Sequence, residues 1–358
     1  MGELVMRNKS LLWILLMGTI CLSGSVSCQK EMVGKQIHFK ASTRPKAQQT
    51  KTSYSGETAE DNSKTYERID WVNGDKILLA MTNAEQTTPA TQVYQITGIT
   101  SSGRYSTAGL QPEAPASSGL QWGTGTHDFW AAYPSTATVG DHSFSFPIPA
   151  AQLASYVETN NGVIRFAPDM GKAFMVAGFQ SSPTDAGINL DFYHGFTAFE
   201  FTVGADDDIT VTSFEMETET YETETSTIVP ICGTAVATFD SSNSMSYAFS
   251  TAPSPSPGQT ITVTFDNNPS ISSTASMNFK VFALPQDLTG IVIRFYLSNG
   301  IQHSLKLKQS NAWLTFSAGV KYNISGLLVP GAAWYINFDG PSEEEWITTH
   351  PNIEIGVE

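Results

Sequence analysis

Phe199-Glu-Phe-Thr-Val203 and Ile209-Thr-Val-Thr-Ser213, separated by the acidic turn Asp206-Asp-Asp208, decide the fold class. In each run apolar and polar side chains alternate, the period of two that sends successive residues to opposite faces of a sheet. The same rhythm continues outward in both directions. Towards the C-terminus, Ile228–Phe239, Ser246–Phe249, Ile261–Phe265, Phe279–Leu284, Ile291–Leu297 and Leu305–Leu307 are short runs bounded by Gly, Pro, Asn or Ser. Asn311 to Leu328 gives two more across Ser317-Ala-Gly319. Towards the N-terminus lie Ile37, Phe39 and Ala41 set against His38 and Lys40, then Ile77–Met81 after the turn Asn73-Gly74-Asp75, and Val93–Ile99. Asp128-Phe-Trp-Ala-Ala-Tyr-Pro134, Phe144/Phe146/Ile148, Ile164–Phe166 and Phe174–Phe179 follow. Strands at such regular spacing, with turn chemistry between them, predict an all-β sandwich architecture. The one short helix expected is Ala150–Val157.

Thr43 to Arg68 is polar and nearly devoid of large apolar residues, and reads as a long, mobile loop. Ser101 to Gly125, rich in Gly, Ser and Pro, reads as a loop interrupted by Tyr105, Leu110, Leu120 and Trp122, and Ser181 to Gly187 has the composition of a linker, which places a boundary near Asp185. The expected organisation is a leader over 1–27, an N-terminal β-sandwich domain over 28–185, a C-terminal one over 186–330 and a tail over 331–358.

The leader is read from Leu11 to Cys28, LLWILLMGTICLSGSVSC, with Arg7 and Lys9 before it. Its apolar core of about 12 residues is too short for the ~20 that cross a bilayer, so it is a secretion signal. A small residue directly before Cys28 resembles the lipobox of bacterial lipoproteins. That implies cleavage before Cys28 and lipidation of it, and Lys30-Glu31 resembles the charged export tag of surface lipoproteins. Removal of Arg7, Lys9 and Glu3 with the leader takes the net charge from −15 to −16. So acidic a chain is no ligand for phosphate backbones, which excludes nucleic acid as a partner. Of three cysteines only Cys232 then remains, so no disulfide can form within the chain. Between Ile231 and Gly233 it reads as a small buried hydrophobe.

No catalytic set emerges. The histidines at 38, 127, 142, 194, 303 and 350 are scattered without metal-ligand spacing, and no Gly-x-Ser-x-Gly elbow or phosphate-cradling loop is present. His194 reads as a core histidine. Asp206-Asp-Asp208 lacks regular calcium-ligand spacing and reads as a solvated turn. Glu215, Glu217 and Glu219, with Glu222 and Glu224 beyond, form a ladder of like charge expected on an edge strand. Trp71, Trp130 and Trp313 fall in strand patterns. Trp122 and Trp346 are the two that could stand exposed as sugar platforms. No catalytic residue, metal site or cofactor is expected.

Taken in order, a set of segments resembles the fimbrillins, the lipoprotein pilins of Bacteroidales. They are Cys28, Ile37-His-Phe, Trp71…Gly74-Asp75…Ile77, Phe129-Trp-Ala-Ala-Tyr-Pro134 and Phe146…Gln152. Leu190-Asp-Phe-Tyr-His-Gly-Phe-Thr-Ala-Phe, Ile231-Cys-Gly-Thr-Ala and Trp313…Phe316-Ser-Ala-Gly319…Tyr322-Asn-Ile324 complete it. The resemblance implies two tandem transthyretin-like β-sandwich domains, no catalysis, and fibre assembly by strand exchange at the cell surface. A first strand carrying Ile37 and Phe39 would leave, and a donor strand would replace it. The alternation of Ile353, Ile355 and Val357 suits a donor. The family's processing is by an arginine-specific protease; Pro45 after Arg44 disfavours that bond and leaves Arg68, or Lys46, Lys51 or Lys64. The implied partners are other pilus subunits, the outer membrane through the lipid anchor, and a host or bacterial surface ligand. The alternatives are a glycan-binding lipoprotein of a nutrient-uptake system and a non-polymerising anchor or tip subunit. The tail could also simply pack on its own domain.

Overall fold

Asp128-Phe-Trp-Ala-Ala-Tyr is almost continuously apolar because the strand His127–Tyr133 is buried on both faces. Phe129, Ala131 and Tyr133 point into one core, Trp130 and Ala132 into another. The computed structural model describes residues 33–43, 53–61, 64–86, 88–102, 105–114, 119–184, 187–218, 229–251, 258–288, 290–309, 314–328, 335–339 and 353–356. Cys28, Lys46, Lys51, Glu219, Glu222, Glu224, Trp313, Trp346 and Val357 lie outside them.

The first core fills a closed barrel of seven strands. Going round, these are Phe39–Thr43, Ile188–His194, Met175–Ser181, His127–Tyr133, Lys76–Asn83, Ala90–Ser102 and Tyr105–Pro112, which returns to the first. The second core lies inside a long sheet that folds over on itself. Its order is Tyr335–Asp339, Lys321–Leu328, Thr197–Ala205, Ser276–Ala283, Val163–Pro168, Ala151–Asn160, Thr260–Phe265, Ile209–Thr218, Gly290–Leu297, Gln302–Gln309 and Ile353–Gly356. Phe201 on one half meets Phe214 on the other at 4.7 Å, and Phe279 meets Phe214 at 5.0 Å. A four-stranded sheet (Ser246–Thr251, Gly233–Asp240, Ser143–Ile148, Thr138–Gly140) packs against this core and against the barrel. At that junction Trp130 stacks on His142 at 4.8 Å, and the backbones come so close that position 178 has no room for a side chain. A Cβ on Gly178 would collide with the Met245 carbonyl and sit 2.9 Å from the Phe239 ring.

The all-β reading stands, and several local expectations need correction. Ala150–Val157 is no helix: Ala151–Asn160 is a strand, antiparallel to Val163–Pro168 and parallel to Thr260–Phe265. Asn161-Gly162, both at positive φ (50° and 77°), make the tight turn of that hairpin. Thr43 to Arg68 is not one loop, since Ser53–Asp61 and Lys64–Asp70 pair as a separate two-stranded ribbon, and Ser101 to Gly125 is not one either, since Tyr105–Pro112 is a barrel strand. The expected boundary near Asp185 falls between two neighbouring barrel strands, Met175–Ser181 and Ile188–His194. Ile188–His194 turns back to close the barrel, whereas Ala151–Asn160 and Val163–Pro168 join the long sheet. The glutamate ladder is not on an edge: Ile209–Thr218 lies inside the long sheet, and Arg294 on the next strand binds Glu215 at 2.7 Å and Glu217 at 2.5 Å. One guanidinium between two carboxylates removes the repulsion that would have disfavoured pairing.

Candidate functional site: the first strand and its slot

The alternation Ile37-His-Phe-Lys-Ala41 becomes an alternation of burial. Ile37, Phe39 and Ala41 are 2%, 3% and 0% exposed, while His38 and Lys40 face solvent. Phe39–Thr43 runs parallel to Ile188–His194 and antiparallel to Tyr105–Pro112, so it has hydrogen-bonded neighbours on both sides. Phe39 meets Tyr94 and Phe129 edge-on, with centroids 5.4 and 5.6 Å apart. Ala41 stands between Leu190 and Ala108 in register. The slot thus has three positions of different size: aliphatic, aromatic and minimal.

The approach to the strand is fixed by the loop that carries Trp122. Gly34 N–H donates to the Trp122 carbonyl (2.7 Å), Trp122 N–H to the Lys35 carbonyl (3.0 Å) and Ile37 N–H to the Leu120 carbonyl (2.9 Å). Leu120 N–H donates to the Tyr94 hydroxyl at 2.8 Å. Burial pushes that phenol up to about 12, the Leu120 hydrogen bond acting against it. Trp122, expected as an exposed platform, is 2% exposed and wedged edge-on against His127 and Phe129. His127 accepts from Gly123 N–H at Nε2 (3.0 Å), which leaves Nδ1 as donor to the Gly125 carbonyl (3.0 Å). Burial lowers its pKa, against the opposing pull of the Gly125 hydrogen bond, Asp128 and Glu85. His127 is therefore a strut of the loop. His194 is also a core residue, pushed down to about 3 by burial.

Of the processing candidates, Lys64 and Arg68 lie on the second strand of the ribbon. Lys64 pairs with Asp61, but Arg68 falls where the register slips between Tyr54↔Ile69 and Thr58↔Glu67. Three residues there oppose one, so Arg68 sits at the least regular point of the ladder. At the C-terminal end, Tyr335–Asp339 pairs with Lys321–Leu328 and Ile353–Gly356 with Gln302–Gln309. They occupy the two outer edges of the long sheet, each with one neighbour. The first strand and the two C-terminal strands thus belong to different sheets.

Sequence reasoning missed one cluster. Glu200 lies between Lys280 (3.1 Å) and Lys321, and accepts from Asn278 at 3.0 Å. Lys280 is 2% exposed. Burial alone would raise the Glu200 carboxyl; the two ammonium groups and the hydrogen bonds from Lys321 and Asn278 more than reverse this and hold it at about 2. The signal was faint: Lys280 interrupts an otherwise apolar run, Phe279 to Leu284. Among the described residues no group of three or more His, Cys, Asp or Glu could hold a metal ion.

Several solved structures are similar to the chain. A protein of Bacteroides ovatus assigned to cell adhesion superposes with a TM-score of 0.51 at 11% identity, over 88% of this chain and 99% of that one. One from Bacteroides uniformis, also assigned to cell adhesion, gives 0.48 at 14% identity, over 85% and 96%. A fimbrial assembly protein of Parabacteroides distasonis gives 0.40 at 8% identity, over 86% and 96%. At 11% identity the first of these likenesses shows the fold alone. No curated protein matches the chain. The family model described as fimbrillin-like matches residues 58–328, about three quarters of the sequence, and the chain belongs to that family.

Proposed function

We propose that this chain is a non-enzymatic pilus subunit or adhesin of the cell surface, anchored in the outer membrane through lipid on Cys28 and joined to other subunits by strand exchange. The observation that supports it most is the first strand. It closes the barrel with a ladder on either side, yet it belongs to the N-terminal edge of the chain and is followed by a polar segment. Cutting that segment lets the strand leave and exposes two unpaired backbone edges with the pockets of Ile37 and Phe39 between them. Such a slot captures a strand from another subunit. Refilling each large pocket is worth about 1.5–3 kcal/mol. Arg68, at the irregular point of the ribbon, is the site we favour for an arginine-specific protease. The two C-terminal edge strands are the donors we favour within the chain, and each would give up one ladder to gain two.

The test is limited proteolysis of the purified mature chain between Thr43 and Arg68, with and without residues 335–358. Ladders of multimers that form only after cutting, and only with the C-terminal strands present, are expected. Cut protein with its strands intact that stays monomeric at high concentration would refute strand exchange. Labelled fatty acid should enter the wild type and not Cys28→Ala; equal labelling of both would remove the anchor.

A further inference from the structure

Strand exchange leaves open which strand enters the slot, and the sizes of its three positions decide between the two candidates. We infer that the donor is Tyr335–Asp339 together with Gly340, inserted in the register of the strand it replaces: Ile336 for Ile37, Phe338 for Phe39 and Gly340 for Ala41. The inference rests on the strand-exchange reading and names the partner segment within it.

Set side by side, Gln36-Ile-His-Phe-Lys-Ala41 and Tyr335-Ile-Asn-Phe-Asp-Gly340 carry the same pattern. Each offers an isoleucine, then an aromatic ring, then the smallest available residue, with polar residues between them. In the resident strand the polar pair, His38 and Lys40, faces solvent, so Asn337 and Asp339 would keep the outer face wet. The ring position is specific. Phe39 is met edge-on by Tyr94 and Phe129, and a second phenylalanine restores both contacts. The minimal position is stricter still, because Ala41 is 0% exposed and has Leu190 and Ala108 as its cross-strand neighbours. Glycine enters it with one methyl fewer and no clash.

Ile353-Glu-Ile-Gly-Val357 fits worse. In the same register Ile355 brings no ring to the Phe39 position, and Val357 carries two methyl groups more than the slot of Ala41 holds. Sliding it by two residues puts Ile355 in that slot instead. Its period of two suits any half-buried strand, whereas the gradation of sizes suits only the other candidate. Ile353–Gly356 keeps its place on Gln302–Gln309. Tyr335–Asp339 is held along one side, by Lys321–Leu328, so its release breaks a single ladder.

The experiment uses the full mature chain with a specific protease site inserted between Thr43 and Ser53. After cutting, labelled peptides spanning Lys35–Ser42, Trp334–Pro341 and Asn352–Glu358 are titrated in, and binding is read by fluorescence anisotropy. The Trp334–Pro341 peptide should bind at least tenfold tighter than Asn352–Glu358, a difference of about 1.4 kcal/mol. Phe338→Ala and Gly340→Val in that peptide should each weaken it at least tenfold. The substitutions lie in the peptide, so folding of the protein is not at stake. If Asn352–Glu358 binds as tightly or tighter, or if Gly340→Val changes nothing, the assignment of the donor fails while strand exchange survives. If Lys35–Ser42 rebinds and neither tail peptide does, or if none of the three binds, strand exchange by this chain's own tail falls with it.

Discussion

Truncating Phe39 to alanine tests whether the barrel depends on its first strand. The ring is 3% exposed and sits edge-on to Tyr94 and Phe129. Its backbone is clamped by ladders on both sides, so the walls cannot collapse into the space left behind. A buried Phe→Ala change of this kind costs about 3–5 kcal/mol, of which each aromatic pair accounts for roughly 0.5–1.5. Against a typical total of about 5–15 kcal/mol, that is a large share. Urea unfolding followed by tryptophan fluorescence gives the global loss. Amide hydrogen exchange locates it, and residues 39–43 should exchange faster than 127–133 on the far wall. Phe179→Ala is the control, because Phe179 is 37% exposed and its truncation should cost about 1 kcal/mol or less. Equal losses for the two variants, or unchanged exchange in the first strand, would refute the view that Phe39 holds the barrel shut.

Three further outcomes are expected. Gly178→Ala should lower the melting temperature, because the added methyl collides with the Met245 carbonyl and the Phe239 ring; overpacking costs about 1–3 kcal/mol, and an unchanged melt would contradict the close approach. His194 stays neutral in the fold, its pKa pushed down to about 3 by burial, while in the unfolded chain it titrates near 6.5. Its contribution is therefore complete above pH 6.5 and is lost as pH falls from there towards 3, at up to about 1.4 kcal/mol per pH unit. His194→Gln should flatten that stretch of a stability-against-pH curve, and a curve of unchanged slope would argue against a neutral buried imidazole. Glu200→Gln leaves Lys280 and Lys321 facing an uncharged amide and should cost roughly 3–5 kcal/mol in urea unfolding, whereas Lys280→Met should be milder than Lys280→Ala, since the apolar stem is kept.

Which parts of this fold could be read from the chain follows from the range of the signal. Period-two alternation is local, and it located most strands: Phe199 to Val203 and Ile37 to Ala41 have the burial their patterns imply. Asn161-Gly162 is equally local and marks a tight hairpin, which makes the expected helix over 150–157 one arm of that hairpin. Partnership between distant strands leaves no such trace. Nothing in Ile188–His194 says that it pairs in parallel with a strand some 150 residues earlier, or in Ala151–Asn160 that its parallel neighbour is Thr260–Phe265. The strands on either side of the expected boundary near Asp185, Met175–Ser181 and Ile188–His194, are likewise neighbours in the barrel. Glu215 and Glu217 were read without Arg294, which comes from another strand. Trp122 looked exposed because its loop is rich in glycine, whereas the aromatic ends of the barrel draw it inside. The first strand was legible as a half-buried strand, but its double pairing, on which the proposed function turns, was not.

The order of strands round the barrel also bears on how such a strand can leave. Phe39–Thr43 is flanked by Ile188–His194 and Tyr105–Pro112, whereas the strands that carry Val176, Trp130 and Ala80 into the second core come two, three and four places round the ring from it. In a ring of seven, the first strand therefore lies opposite the wall that joins the barrel to the sandwich. Phe39 and Phe129, whose rings touch across the interior, mark the two sides. The contacts of Trp130 with His142 and of Gly178 with Met245 lie on that opposite wall, away from the first strand. The two edge strands of the tail belong to the sandwich, on the other side of that joint. A slot placed away from the joint can be vacated and refilled while the two halves stay packed, which is the condition a chain must meet if it is to exchange strands without coming apart.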